Sequence, residues 1–397
     1  MAQGKKKNIH RENGEWVDAQ FPVIMSASRS TDIPAFYADW FFHRLKVGYS
    51  AWTNPFNGVK SYVAYADTRF IVFWSKNPNP LLQHLDYLKE RNIGCYIQHT
   101  LNDYEKGGVE CGVPPLDERI DTFKRLVDTL GQGRVIWRFD PLILTDRIGI
   151  DDLLRKVENI GDQLRSYTEE LVFSFADIAK YKKVKANLER SHVNYSEWTH
   201  EQMVEFAKQL VELNKTKGWN YALATCGEAD LDGVKHNRCT DSALITRLAW
   251  NDKTLMDFMN VQIEEVPAPT LFGEPEFPQD AILLPNNHYF ASVHKKRPWP
   301  ASGLLLHGEQ GHRPVRHLSA PVRILLRQHE QRNGVAEPET AQGQSIGRND
   351  NDIMNMTIEQ NTNYAYKVKY LENPTLDKVR NLAVQFMYEL SYKDTLH

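Results

Sequence analysis

Cysteine is scarce in this chain: four in 397 residues, Cys95, Cys111, Cys226 and Cys239, with no C-x-x-C pair among them. That spacing excludes a disulfide scaffold and a zinc ribbon, and reads as reduced thiols in a cytoplasmic protein. Long apolar runs are missing as well. No stretch approaches the roughly 18 consecutive apolar residues of a membrane span, and the basic start leads into Arg11-Glu12-Asn13-Gly14-Glu15 instead of the apolar core of a secretory signal. Charge of one sign is also lacking, since 48 Lys and Arg face 51 Asp and Glu for a net charge of -3. A global attraction to nucleic acid or anionic lipid is therefore not expected. His43, His84, His192 and His200 fit no metal-ligand spacing, and no G-x-G-x-x-G follows the first apolar run, which removes a dinucleotide fold.

What is present is alternation on a larger scale. Short runs rich in Val, Ile and Phe recur between amphipathic stretches, the pattern of strand–helix units around a parallel sheet. The strands are predicted at Pro22–Ala27, Arg69–Trp74, Gly94–Thr100, Arg134–Phe139, Leu171–Phe175 and Tyr221–Thr225. The helices are predicted at Tyr37–Val47, Pro80–Arg91, Leu116–Leu130, Ile150–Tyr167, Thr199–Lys217 and Asp241–Leu248. Pro34, Pro80 and Pro115 stand at or just before helix starts, and Gly131 and Gly218 follow helix ends. Six such units suit a doubly wound open sheet or a partial barrel, and periodicity does not separate the two. Without a dinucleotide fingerprint, the fold class expected is α/β, a partial (β/α)6 TIM-like barrel. The predicted organisation is an N-terminal extension at 1–20, the barrel domain at 21–256, a linker at 257–296 and an irregular tail beyond it. Lys180–Lys185 reads as a solvated face, and Trp52–Phe56 as packed loop aromatics.

In parallel α/β folds the loops leaving the C-terminal strand ends open on one face and carry the chemistry. Every predicted strand delivers polar groups there. The first supplies Ser26, Ser28, Arg29 and Asp32; the second Lys76 and Asn77; the third Gln98 and Asn102; the fourth Arg138 and Asp140. The fifth supplies Ser174, and the sixth Thr225, Cys226 and Glu228. Taken singly, these have structural readings too: Asp32 as the cap of the helix after Pro34, Asp140 as a turn residue before Pro141, Arg138 as an ion-pair partner of Asp140 or Glu228. Taken together, Arg29, Lys76 and Arg138 suit anionic groups of a ligand, and Asp32, Asp140 and Glu228 suit its hydroxyl or amino groups. Those six are the candidate catalytic residues. Ser26, Ser28, Asn77, Gln98, Asn102, Ser174 and Thr225 are the candidate cofactor-binding residues. His99 alternates to the face opposite Gln98 and reads as structural. No residue set in this reading frame is expected to hold a metal.

The stretches S-A-S-R-S-T-D-I-P-A-F-Y at 26–37, F-W-S-K-N-P at 73–78, R-V-I-W-R-F-D-P at 134–141, A-T-C-G-E-A-D-L at 224–231 and G-V-K-H-N-R-C-T-D at 233–241 resemble, in order, the domain-of-unknown-function family numbered eighteen forty-eight. That family is described by a C-terminal cysteine cluster like the one that opens radical S-adenosylmethionine enzymes. The resemblance therefore implies a [4Fe-4S] cluster, S-adenosylmethionine, an electron donor and a small-molecule substrate, with no assigned reaction. Here no cysteine follows Cys239. Allowed codons for Gly303 to His329, read one nucleotide later, give G-C-C-C-M-V-S-K-D-I-G-Q-Y-D-T-C-R-H-L-C-V-Y-C-Y-A-N-T. The shifted cysteine codons overlap Leu318, Val322 and Leu325, in the C-x-x-x-C-x-x-C spacing that lets three thiolates hold three irons and leave the fourth open. The shift is placed at Lys295–Lys296, whose codons allow an adenine run. If Ile353 is encoded by ATA, the shifted frame stops there, making 297–353 an out-of-frame tail and 354–397 the fused start of a downstream gene. The expectation is an iron–sulfur enzyme whose cluster segment is lost from this frame, leaving the chain inactive with neither cofactor bound. The alternatives are a cluster-free acid–base or divalent-metal barrel enzyme using Asp32, Asp140 and Glu228, and a non-catalytic binding protein.

Overall fold

A computed structural model of the chain describes residues 7–27, 31–53, 60–105, 109–110, 112–180, 182–226, 231–238, 240–267, 278 and 281–291. Its main sheet has seven strands: β1 (Ile24–Ala27), β2 (Phe70–Ser75), β3 (Gly94–Thr100), β4 (Val135–Leu142), β5 (Glu170–Phe175), β6 (Ala222–Thr225) and β7 (Lys235–His236). Every neighbouring pair is parallel, and the spatial order follows the chain order without reversal. Parallel crossovers are right-handed, so strands added always on the same side send their helices to one face.

The buried side chains follow that rule. Met25, Ile71, Phe73, Ile97, Trp137, Phe139, Leu171, Phe173 and Leu223 pack with Phe41, Phe42, Ile120, Phe123, Leu126, Leu153, Val157, Ile160, Phe206 and Leu210 of the crossover helices. The alternate strand residues Ile24, Phe70, Val72, Tyr96, Ile136, Val172 and Ala224 face the other way and meet Ile245, Ala249, Leu255 and Met256. The helices between strands thus lie on one face, and a final helix pair closes part of the other. A doubly wound sheet, which needs an order reversal and helices on both faces, is removed. The edge strands β1 and β7 are not paired with each other among the described residues, so the sheet is open.

The helices are α1 (Ile33–Phe36), α2 (Ala38–Val47), α3 (Leu85–Glu90), α4 (Leu116–Leu130), α5 (Ile150–Leu164), α6 (Lys182–Arg190), α7 (His200–Thr216), α8 (Ser242–Ala249) and α9 (Lys253–Met259). In α4 the buried residues Leu116, Ile120, Phe123, Leu126 and Val127 form one stripe, with Asp117 and Glu118 in the first turn, where the helix dipole favours them. Burying such side chains is worth about 1.5–3 kcal/mol each, and that packing holds a helix of this length that would be marginal alone. A capping box starts α7: the Gln202 N–H donates to Thr199 Oγ1 at 3.2 Å, and the Thr199 N–H donates to Gln202 Oε1 at 3.0 Å.

Four features depart from the expectations. Residues 7–20 form strands Lys7–His10 and Trp16–Gln20, which join Lys60–Ala64 and Tyr49–Thr53 in a four-stranded sheet. Trp52, expected in a loop, is a strand residue there. The Lys180–Lys185 segment keeps Lys180 and Lys185 exposed, as a solvated face should, but opens into α6, a helix not expected, in which Val184 and Leu188 are one turn apart and pack on the core. The expected linker takes in the end of α9 and holds an antiparallel sheet of Glu264–Glu265, His288–Ala291 and Ala281–Leu284, with Asn286 and Asn287 at φ 58° and 57° in its tight turn. The readings of 297–353 as an out-of-frame tail and of 354–397 as a fused gene start lie outside the described residues. Among the described residues no helix is long and apolar enough to cross a membrane.

A close contact fixes how α5 meets the chain before β6. A Cβ placed on Gly161 would lie 2.6–2.9 Å from the ring of Trp219, which is buried and donates from Nε1 to Asp162 Oδ1 at 2.9 Å. Alanine favours a helix over glycine by about 1 kcal/mol, but overpacking costs about 1–3 kcal/mol. Gly161→Ala is therefore expected to lower the thermal midpoint by about 2–6 °C, and an unchanged or higher midpoint in a scanning-calorimetry trace would show that Trp219 moves aside freely.

Candidate functional site

Alternation along the parallel strands decides which residues reach the face opposite the crossover helices. On β2 it is Phe70, Val72 and Trp74; on β3, Tyr96, Gln98 and Thr100; on β4, Ile136, Arg138 and Asp140; on β5, Val172 and Ser174. On β6 it is Ala224 and then Cys226. The half of each row toward the strand starts is apolar and lies among the side chains that meet α8 and α9. The half toward the C-terminal strand ends is polar.

Arg138 is the centre of the polar half. It is fully buried, and its guanidinium donates to Asp140 Oδ2 from Nη2 at 2.8 Å and from Nε at 3.3 Å. Nη1 donates to Gln98 Oε1, and Nη2 also donates to Cys226 Sγ at 3.2 Å. The guanidinium carbon lies 4.7 Å from the centroid of the Trp74 ring, a cation–π contact. Ser174 Oγ donates to Asp140 Oδ1, and Asn237 Nδ2 donates to Cys226 Sγ at 2.9 Å. Burial opposes the charge on Arg138, but Asp140 and Cys226 beside it outweigh that and hold its pKa above the ordinary arginine range. The expected Arg138–Asp140 pair is present, and Gln98 and Ser174 join it.

Lys76 and Asp32 belong to a second cluster where β2 ends. Asp32 Oδ1 accepts from the Ala35 N–H at 3.0 Å, capping α1, and Oδ2 accepts from the Lys76 N–H at 2.8 Å. Burial raises the Asp32 carboxyl above its ordinary value, against the pull of those hydrogen bonds. The Lys76 ammonium pairs with Glu110, both buried, and burial together with nearby Arg119 lowers its pKa to about 8. Arg119 in turn donates to Glu105 Oε2 at 2.8 Å and to the Asn102 carbonyl at 2.9 Å.

Two expectations change as a result. Arg138 and Lys76, expected to receive ligand anions, are each matched by a carboxylate of the chain itself, because a cation this deeply buried needs its counter-charge in place. Thr225 falls on the face of Leu223, opposite Cys226, and is buried there. Ser26 is half-buried at the end of β1, and the Asn77 N–H turns back to Ser75 Oγ at 2.9 Å. Ser28, Arg29 and Glu228 lie outside the described residues.

Trp74, Glu110 and Asn237 are site residues that the sequence reading does not single out. Alternation along Phe73-Trp74-Ser75 gives a signal for Trp74. Asn237 follows a strand only two residues long, and nothing in composition marks Glu110 as the partner of a lysine 34 residues earlier. His99 is buried against Phe123, rings 5.6 Å apart and nearly parallel, and burial with Arg119 nearby lowers its pKa to about 3. It is packed in the core as a structural histidine is, but it is not the satisfied one expected, since neither ring nitrogen has a hydrogen-bond partner among the described residues.

The assembled mouth brings hydrogen-bonding groups together around Arg138: an amide, a neutralised carboxylate, a hydroxyl and a sulfur, with an indole beside them. That inventory suits a polar small molecule. Among the described residues no group of three His, Cys, Asp or Glu side chains could hold a metal ion. Comparison with curated proteins and with solved structures gives no match. A family model described as a domain of unknown function, DUF1848, matches residues 24–262.

Proposed function

The chain belongs to the DUF1848 family, and from that premise we propose that it is the barrel portion of a cytoplasmic radical S-adenosylmethionine-type iron–sulfur enzyme whose cluster-binding segment is not encoded in this reading frame. The observation that carries the proposal is the winding of the sheet: strictly sequential parallel strands, crossover helices on one face, and a polar row at the strand ends on the other. Curved on itself, such a sheet is an open, TIM-like partial barrel with its mouth at those ends. The family match ends at residue 262, ahead of Lys295, and the codons allowed for Gly303–His329 permit the cysteine motif in the shifted frame.

The described residues do not fit the cluster. Cys95 and Cys226 alternate to opposite faces of the sheet, and no third thiol stands near either of them among the described residues. No step is therefore derived through iron. What these residues do is recognise: Gln98 and Asp140, held by Arg138, and Ser174, held by Asp140, present fixed hydrogen-bonding atoms to a polar ligand, and Trp74 screens the guanidinium from water. An electron donor would be a partner of the frame-corrected protein alone.

The test compares two proteins after anaerobic reconstitution with iron and sulfide. The 397-residue chain is expected to stay colourless. A chain re-encoded in the shifted frame after Lys295 is expected to turn brown, bind about four irons and cleave S-adenosylmethionine once reduced. The encoding DNA across Lys295–Gly303 should carry one base more or fewer than the intact frame. A colourless re-encoded protein whose activity follows added divalent metal would replace this reading with the acid–base barrel enzyme, and a protein with neither behaviour would leave a binding protein.

A further inference from the structure

Cys226 has a setting that neither the family description nor the proposed cluster uses. Its sulfur accepts from two N–H donors on different strands' ends, Arg138 Nη2 at 3.2 Å and Asn237 Nδ2 at 2.9 Å, and it is only half-buried. A cationic donor beside a sulfur favours the thiolate over the thiol. The charged groups facing it among the described residues are Arg138 and Asp140, both from β4. Asp140 shares the same Nη2, so the carboxylate and the sulfur divide one guanidinium. Asp140 has Ser174 as its second donor, and Cys226 has Asn237.

A second observation marks this row as a ligand site. Thr100 pairs with Arg138, and Val172 lies between Arg138 and Ala224, before the β4–β5 register shifts; beyond those pairs Asn102, Asp140, Ser174 and Cys226 follow toward the C-terminal ends of the sheet. Asn102 is fully buried, yet neither its amide nitrogen nor its amide oxygen has a hydrogen-bond partner. Buried amides are almost always paired. One left open at this end of the sheet is complementary to a ligand group offering an acceptor and a donor together, as a carboxamide does.

We infer that Cys226 is held as a nucleophilic thiolate and is the point at which a ligand with an electrophilic carbon and an amide-like polar group becomes covalently attached. The sulfur lone pair forms the new carbon–sulfur bond. The bond from that carbon to its leaving group breaks, the leaving group departs with the electron pair, and the thiol proton has already passed to solvent. This needs neither iron nor the cluster-binding segment, so it stands or falls separately from the proposed function.

Iodoacetamide is a suitable probe, since it carries both an electrophilic carbon and a primary amide and releases iodide. The full chain is labelled briefly at pH values from about 5.5 to 9, a span that brackets the value near 8.5 of a free cysteine, and each cysteine is followed by peptide mass mapping. Cys226 is expected to reach half its maximal rate at least about one pH unit below that free-cysteine value. Cys95, on the other face and pushed up to about 12 by burial, serves as the unreactive control in the same sample. Asn237→Ala, checked for folding by circular dichroism, is expected to move the Cys226 profile upward by half a pH unit or more, and Asn237→Asp to move it further. A Cys226 profile matching free cysteine, no labelling of Cys226 in the folded chain, or profiles indifferent to both Asn237 variants would overturn the inference.

Discussion

Arg138→Ala is expected to cost about 3–5 kcal/mol of folding stability, the range for breaking a buried ion pair by removing one partner. The substitution strips Asp140, itself buried, of the guanidinium that matches its charge, takes from Gln98 Oε1 the Nη1 donor of Arg138, and opens a void against the Trp74 ring. Urea unfolding should show it as a lower midpoint at nearly unchanged slope. A companion variant separates the charge from the packing. Replacing the pair together, Arg138→Met with Asp140→Leu, removes the uncompensated carboxylate, and apolar pairs of similar volume often hold a fold as well as a buried ion pair. The double variant is thus expected to recover most of the loss while the polar mouth disappears. If Arg138→Ala costs less than about 1 kcal/mol, well under the buried-pair range, water reaches Asp140 and the mouth is wetter than its burial indicates.

His99→Phe should make the protein far more resistant to acid. The ring is neutral in the fold down to about pH 3 because burial and Arg119 oppose its charge, whereas in the unfolded chain it takes up a proton from about pH 6.5. Between those values the unfolded state binds the extra proton, so stability rises with pH there and is lost on acidification. Glu170 acts with the opposite sign. Burial and the nearby Asp241 raise its carboxyl to about 7, so between its ordinary value and 7 the folded state holds the extra proton; its contribution is full at low pH and is lost as pH rises through 7. The two roughly cancel from about pH 6.5 to about 4.5, and below that the histidine acts alone. Phenylalanine keeps a flat ring against Phe123 and cannot titrate. Its advantage over the parent should grow from near zero at about pH 7 to about 3 kcal/mol at about pH 4, and parallel urea curves at the two pH values would show whether it fails to.

How much of this is legible in the sequence divides along physical lines. Gly94–Thr100 and Leu116–Leu130 match the structure end to end, and the other five strands and four of the helices lie within a few residues, because burial on one or two faces writes a period into the sequence; the stretch expected as one helix at Pro80–Arg91 is a 3-10 helix at Asn79–His84 followed by the short α3. The short elements escape it. Lys235–His236 is too short to carry a period, and α6 has one apolar pair in a run of charge. The N-terminal hairpin pairs with Lys60–Ala64, some 40 residues on, which no local pattern encodes. At the site, alternation places Gln98, Arg138, Asp140 and Ser174 correctly on the inner face. It does not say that Lys76 turns to Glu110, nor that Cys226 and Arg138 meet across 88 residues, since those contacts depend on where a loop returns.

The one-way winding of the sheet also sets an order of assembly. Each strand touches only the strands before and after it in the chain, so every new unit docks on a template already made, and the loops that must close are short. A ribosome releasing the chain from its N-terminus delivers the units in docking order. Arg138, Asp140 and Gln98 are together once β4 is in place, but the sulfur and the Asn237 amide arrive with the last two strands. Until then the guanidinium has an open flank. The polar mouth is therefore the last part of the sheet to become complete during synthesis, and the part first exposed if the C-terminal strands peel away.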